Sequence, residues 1–354
     1  MFALGLAVTV GTGMSAIRTV ILPRGAQSPV TRAVFRSARV VFRGISSLRP
    51  GFQWHDRVLA HYAPVSLILL VAVWLALMTV GFTAMFWAVE QQGWAEAFHT
   101  AGSSLLTLGF APVEGSWPRA ISFVEAALGL GLLALLITYL PTMYGSFSRR
   151  ETLVGLLEAR AGNPPSAVEM LERYQDLGWM DRLPDVWAEW EVWFAQIDES
   201  HISYPALTFF RSPQPDRHWV NAAGTVLDAA SLTVSTLVGA RRPQAILLLH
   251  SGAGTLRRLA DFFGIPAAAT GDEAVTISRI EYDVACERLE AAGLELVADK
   301  DEGWRAFVES RSTYDSVLLV LAQLTVAPYA PWVSDRSAPG YREPRLRRWG
   351  SRGR

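Results

Sequence analysis

From Ala63 to Val89 the chain carries no charged residue. A helix over that stretch would be about 40 Å long at 1.5 Å per residue, more than the roughly 30 Å of a bilayer's hydrocarbon core. Only a helix or a closed barrel satisfies its own backbone polar groups in lipid, so the stretch predicts a transmembrane helix. Tyr62 and Trp87 stand near its ends as interfacial anchors. Two further segments fit the same reading. Residues 1–22 are uncharged apart from Arg18, and 120–144 are interrupted only by Glu125. The first of these lacks the basic start and small-residue cleavage site of a secretory leader, so it reads as a span.

The net charge of −1 hides a strong segregation of sign. Residues 18–57 hold eight arginines against Asp56 alone, whereas residues 151–335 hold 27 acids against 14 bases. Arginine-rich short loops stay on the cytoplasmic side, and Arg149-Arg150 mark the end of the last span as cytoplasmic too. Three spans then place the amino terminus outside and the acidic region inside. Val34, Phe35, Val40, Val41, Phe42 and Ile45 alternate with the arginines, which suits an interfacial helix on anionic lipid. Cys286 is the sole cysteine, so no intrachain disulfide exists.

Between the second and third spans lies Trp94–Gly102, the length of a short helix, then Ser103-Ser104-Leu105-Leu106-Thr107-Leu108-Gly109-Phe110-Ala111-Pro112 and a polar return, Val113–Arg119. A dehydrated cation needs oxygens in place of its water. Backbone carbonyls supply them only where several in succession point the same way, which requires an alternating backbone twist that glycine adopts without steric cost. As a bare tetrapeptide, Thr-Leu-Gly-Phe is equally a turn between two helices. Flanked by two spans, the stretch resembles the pore module of the potassium-channel superfamily. The resemblance implies that Thr107, Leu108, Gly109 and Phe110 bind ions along the axis of a tetramer. It also implies that the short helix before them supports the filter. The sequence departs from the family at Ala111, where a second glycine is usual, and at Pro112, where an acid is usual. Thr9-Val10-Gly11-Thr12-Gly13 looks still more like a filter, but too few residues precede it for a span and a supporting helix.

An ionisable group within a span marks a functional site by default. Glu125 is expected to brace the filter through Ser103, Ser104 or His99, or else simply to reach the outer interface. Gly129 and Gly131 either let the last span bend as a gate or let it pack closely, and Pro141 either kinks the gate or is a static kink.

Residues 151–335 read as a soluble helical domain. Helices are expected at 151–160, 220–237, 243–263, 280–292 and 310–326, with Ser166 and Glu169 forming a capping box. Trp187, Trp190, Trp193 and Phe194 fall on one helical stripe and belong to a core. Leu247–Thr255 contains glycines in a nucleotide-loop-like order, but Arg257 occupies the third glycine position and no strand alternation precedes it, so a helix is expected. The six histidines show no metal spacing, although His201 with Asp198 and Glu199 could hold a cation. No nucleophile elbow, Walker loop or zinc signature occurs, and no enzyme is expected.

Ile21-Leu22-Pro23-Arg24, Tyr139-Leu140-Pro141, Ser148-Arg149-Arg150-Glu151 and Glu199–Pro205 also resemble a group of bacterial potassium-channel-like membrane proteins. These have an extra amino-terminal span and a helical cytoplasmic domain. The expected organisation is therefore an all-α membrane protein with three transmembrane helices, a re-entrant pore helix and filter, and a soluble helical C-terminal domain. Its parts are a first span (1–22), an arginine-rich cytoplasmic loop (23–62), a pore module (63–150), a cytoplasmic domain (151–335) and a disordered basic tail (336–354). The expected function is a homotetrameric, potassium-like cation channel of the bacterial inner membrane with a degenerate selectivity filter, passing a monovalent cation such as K+ without a cofactor or nucleic acid. Its non-protein partner is membrane lipid. The alternative is a non-conducting sensor or scaffold that keeps the pore fold and binds a partner through its acidic domain.

Overall fold

The computed structural model describes residues 1–22, 28–49, 51–90, 93–239, 242–265 and 275–337. Among them the chain is all-α, with one isolated antiparallel bridge between Leu237 and Leu296 and no strand. Three helical stretches, Phe2–Val20, Trp54–Glu90 and Ser116–Ala161, are long and apolar enough to cross a membrane. The chain divides into two compact units. One comprises Met1–Phe147 with Ser203–Phe210, the other Ser148–Ile202 with Arg211 onwards.

In the first unit, α1 (Phe2–Val20) packs along α4 (Tyr62–Glu90). Helices in lipid gain no hydrophobic drive from each other, so their approach depends on small residues. A Cβ built on Gly5 would lie 2.4 Å from the Gly81 carbonyl oxygen, and one on Gly81 would lie 2.5 Å from Thr9 Oγ1. The filter-like sequence Thr9–Gly13 is thus helix, with Thr9 serving this contact. A polar seam adds to it. Trp74 Nε1 donates to Ser15 Oγ at 3.0 Å, Ser15 meets Ser28 at 2.6 Å, and Thr19 meets Thr31 at 2.8 Å. Ser28 caps α2 (Pro29–Ser46), and α3 (Phe52–Ala60) leads into α4.

The twelve-residue α5 (Trp94–Leu105) follows α4 and packs on it, burying Ala97, Ala101 and Leu105 among Phe82, Met85 and Phe86. Then α6 (Ser116–Ala161) runs unbroken for 46 residues, through Gly129, Gly131 and Pro141. The end of the last span and the separate helix expected from 151 are one element, because nothing between Phe147 and Glu151 breaks helical spacing. The segment Ser203–Phe210 also belongs to this unit. Tyr204 packs on Tyr139 (ring centroids 5.3 Å), Phe209 on Tyr62 (5.8 Å) and Phe210 on Phe147 (5.7 Å). The boundary expected at 150/151 therefore misplaces this segment.

The second unit is built around α9 (Trp219–Ser235), which is buried on all sides although Asn221, Thr225, Asp228, Ser231 and Ser235 recur along it, each making a hydrogen bond inside the unit. Around it stand α7 (Ala167–Asp176), α8 (Leu183–Ser203), α10 (Arg242–Phe263), α11 (Arg279–Ala291), α12 (Lys300–Ser312) and α13 (Asp315–Thr325). Trp187, Trp190, Trp193 and Phe194 lie in its core, as their stripe predicts. Gly252 lies where a Cβ would meet Leu227 and Phe194, so its glycine serves helix packing inside α10 rather than a nucleotide loop. Ser166 accepts from the Glu169 amide, but the Glu169 carboxylate turns to Arg173, leaving half of the expected capping box. The full box is Ser278 with Glu281. The single helix expected over 310–326 is two. The chain breaks at Thr313-Tyr314, where buried Arg311 bridges Asp315 and Asp228 while Tyr314 donates to Asp228. Arg336, assigned to the basic tail, pairs with Glu281 and Asp335, and residues 338–354 lie outside the described ones.

Candidate functional site: the loop after α5

The loop at 106–112 is held by the backbone and side chain of one residue. Ser103, in the last turn of α5, is buried. Its carbonyl accepts from the amides of Leu108 (2.8 Å) and Gly109 (3.3 Å). Its hydroxyl accepts from the amides of Phe110 (3.0 Å) and Ala111 (3.1 Å). Four consecutive N–H groups thus converge on a single residue. In a planar trans peptide the carbonyl points opposite to the following N–H. The carbonyls of Thr107, Leu108, Gly109 and Phe110 therefore all face away from Ser103, on a stretch that is exposed throughout.

The backbone twist that permits this alternates. Thr107 has φ +54° and Gly109 φ +71°, while Leu108 and Phe110 keep negative φ. Gly109 bears this without steric cost. Thr107 is β-branched, and its left-handed conformation costs about 1–2 kcal/mol. Such a residue persists only where its surroundings over-determine it, which the four hydrogen bonds to Ser103 do. Ala111 does not enter the left-handed region, in keeping with the pull of Pro112 towards extended backbone.

The expected supporting residues are near one another but bonded differently. His99 packs its ring on Phe110, with centroids 4.6 Å apart. Ser104 bonds Ser122 of α6 at 2.8 Å. A Cβ on Gly129 would lie 2.0 Å from the Leu105 carbonyl oxygen, so Gly129 is where α6 closes on the end of α5. Glu125 stands between Ser122 and Gly129 on the same face of α6, level with the end of α5, and is fully buried. Its carboxylate has no hydrogen-bond partner among the described residues. Among the described residues it makes no hydrogen bond to Ser103, Ser104 or His99; Ser103 Oγ accepts from the two loop amides and Ser104 pairs with Ser122. Gly131 faces open space and Pro141 is exposed.

The second unit brings no metal site together among the described residues. His201 is buried against Arg150, whereas Asp198 pairs with Arg258 at 2.8 Å, so the three residues read as a cation site do not converge. Ser103 itself was named from sequence, but as a partner of Glu125. Its bond to its own loop has a faint signal only, a serine four residues before a threonine in a glycine-containing turn. Comparison with protein-family models, curated proteins and solved structures gives no match.

Proposed function

We propose that the protein is a homotetrameric, potassium-like cation channel of the bacterial inner membrane, with α5 as a re-entrant pore helix. The filter would be the carbonyls of Thr107, Leu108, Gly109 and Phe110. One observation carries the reading: four successive amides converge on Ser103 and turn four successive carbonyls outward together. Carbonyl oxygens in a row can replace the hydration shell of a monovalent cation. One loop covers one side of an ion, so the ring closes with four copies around an axis. The exposed apolar side chains Leu106, Leu108 and Phe110 suit burial against neighbouring copies. The amino terminus would lie outside and the second unit in the cytoplasm. A non-conducting sensor that keeps this fold is the second reading, favoured by Ala111, whose backbone does not extend the alternating twist beyond Phe110.

The test is the mass of the purified particle together with single-channel recording in bilayers under potassium and sodium in turn. A tetramer with unitary cation currents that discriminate only weakly between potassium and sodium is expected. A monomer or dimer in every lipid and detergent overturns the pore; a silent tetramer supports the sensor.

A further inference from the structure

Helix α2 has three faces. One, formed by Thr31, Val34, Ala38 and Ser46, is buried, with Phe35 and Phe42 packed on Tyr62 at 6.3 and 5.9 Å. A second carries Arg32, Arg36, Arg39 and Arg43. At 100° per residue these four fall within a stripe of about 60°. Arg39 is steadied over the Phe209 ring at 5.6 Å, while Arg36 and Arg43 are exposed. The third face exposes Val40 and Val41, and Leu48 follows beyond the helix end. In the sequence of residues 1–57 the one acid is Asp56, buried on α3.

We propose that the arginine stripe of α2 is a binding site for the phosphodiester headgroups of anionic phospholipid. The exposed valines would lie at the level of the acyl chains beside it. A basic stripe bordered by aliphatic side chains is the pattern of a helix lying in the bilayer interface. The guanidinium fork matches phosphate oxygens, and the stripe's one sign of charge complements an anionic leaflet. The helix is tied through Phe35 and Phe42 to Tyr62, the first residue of α4, which places it at the end of a membrane-crossing helix. A nucleic acid would meet the same arginines but gains nothing from Val40 and Val41. The proposal requires that the chain be membrane-embedded, not that it conduct.

The experiment is native mass spectrometry of the full-length protein in detergent, titrated with phosphatidylglycerol and, separately, with phosphatidylcholine. The comparison is between the natural protein, Arg36→Gln/Arg43→Gln and Arg36→Lys/Arg43→Lys. Phosphatidylglycerol should bind preferentially to the natural protein. The glutamine pair should bind it roughly tenfold more weakly, and the lysine pair should keep most of the binding. Phosphatidylcholine binding should be equal in all three. Equal binding of both lipids, or an unchanged glutamine pair, overturns the site. So does displacement by millimolar inorganic phosphate, which would reveal a simple anion site. Should the glutamine pair not fold, Val40→Ser/Val41→Ser provides the second arm. It should weaken phosphatidylglycerol binding while leaving its preference over phosphatidylcholine in place, and unchanged affinity would count against the interfacial pose.

Discussion

Arg150 Nη1 approaches His201 Nε2 to 3.2 Å, and both side chains are buried beside Trp219. A guanidinium has donors only, so Nε2 must accept and the imidazole must be neutral. Burial, and then the Arg150 charge, hold the His201 pKa well below the ordinary 6.5. His218 is similar. Its Nδ1 accepts from the Val220 amide as the cap of α9, and burial, then Arg211 and Arg150, hold its pKa down.

The first prediction is a loss of stability in mild acid. As pH falls through 6.5 the unfolded chain takes up protons on both imidazoles while the folded chain does not. Stability is therefore full above that value and declines below it. Each histidine contributes up to about 1.4 kcal/mol per pH unit, so roughly 3 kcal/mol should be lost between pH 7.5 and 5.5. Chemical unfolding followed by tryptophan fluorescence measures this. His201→Gln/His218→Asn should flatten the dependence; an equally steep slope in that variant assigns the effect elsewhere.

The second concerns Ser103. Ser103→Ala removes the acceptor for two loop amides, each bond being worth about 0.5–1.5 kcal/mol. Hydrogen exchange at Phe110 and Ala111 should accelerate about tenfold with particle mass unchanged. In a conducting protein, discrimination between potassium and sodium should fall. Unchanged exchange at both amides would show that Ser103 does not hold the loop.

The third separates two glycines two residues apart. Gly129→Ala forces a methyl group into the Leu105 carbonyl, and backbone must move. A cost of about 1–3 kcal/mol is expected, as for other overpacked sites. Gly131→Ala meets nothing and should be neutral, or stabilising by about 0.5–1 kcal/mol because alanine is the better helix former. Thermal midpoints of the two variants in the same detergent decide it. Equal midpoints would return Gly129 to the role of a hinge.

The fourth concerns Glu125. A buried carboxyl without a hydrogen bond is costly, and a leucine of similar size removes that cost. Glu125→Leu should therefore keep the fold and raise the thermal midpoint. A lowered midpoint would mean that the carboxyl is bonded after all, within the chain or to a neighbouring copy.

Much of this architecture could be read from residue order. Ala63–Val89 admits nothing but a long apolar helix, and the spacing of Trp187, Trp190, Trp193 and Phe194 defines a buried stripe without reference to its partners. What escaped were features decided by distant residues. Nothing in residue order sets Ser203–Phe210 apart from the rest of 151–335, because only Tyr62, Tyr139 and Phe147 make it part of the first unit. The break at Thr313-Tyr314 is invisible beside an unbroken apolar pattern, since Arg311 draws the chain round to reach Asp228, 83 positions earlier. At the candidate site the residue types pointed to the loop at 106–112, whose backbone twist alternates at Thr107 and Gly109. The partners of Ser103 did not follow from them, because a hydroxyl's choice among neighbouring donors depends on backbone twist.

The chain passes from the first unit to the second after Phe147, returns at Ser203, and leaves again after Phe210. The two bodies are therefore distinct in space but not in the order of the gene. No single stop codon or protease nick divides them cleanly. A truncation before Ser203 deletes α9–α13 and also takes Phe209 from Tyr62, Tyr204 from Tyr139 and Phe210 from Phe147. Exchange of the carboxyl-terminal half between proteins of this design would carry part of the first unit with it. Any inheritance of the second unit as an independent cassette would have had to thread that short piece back into its host.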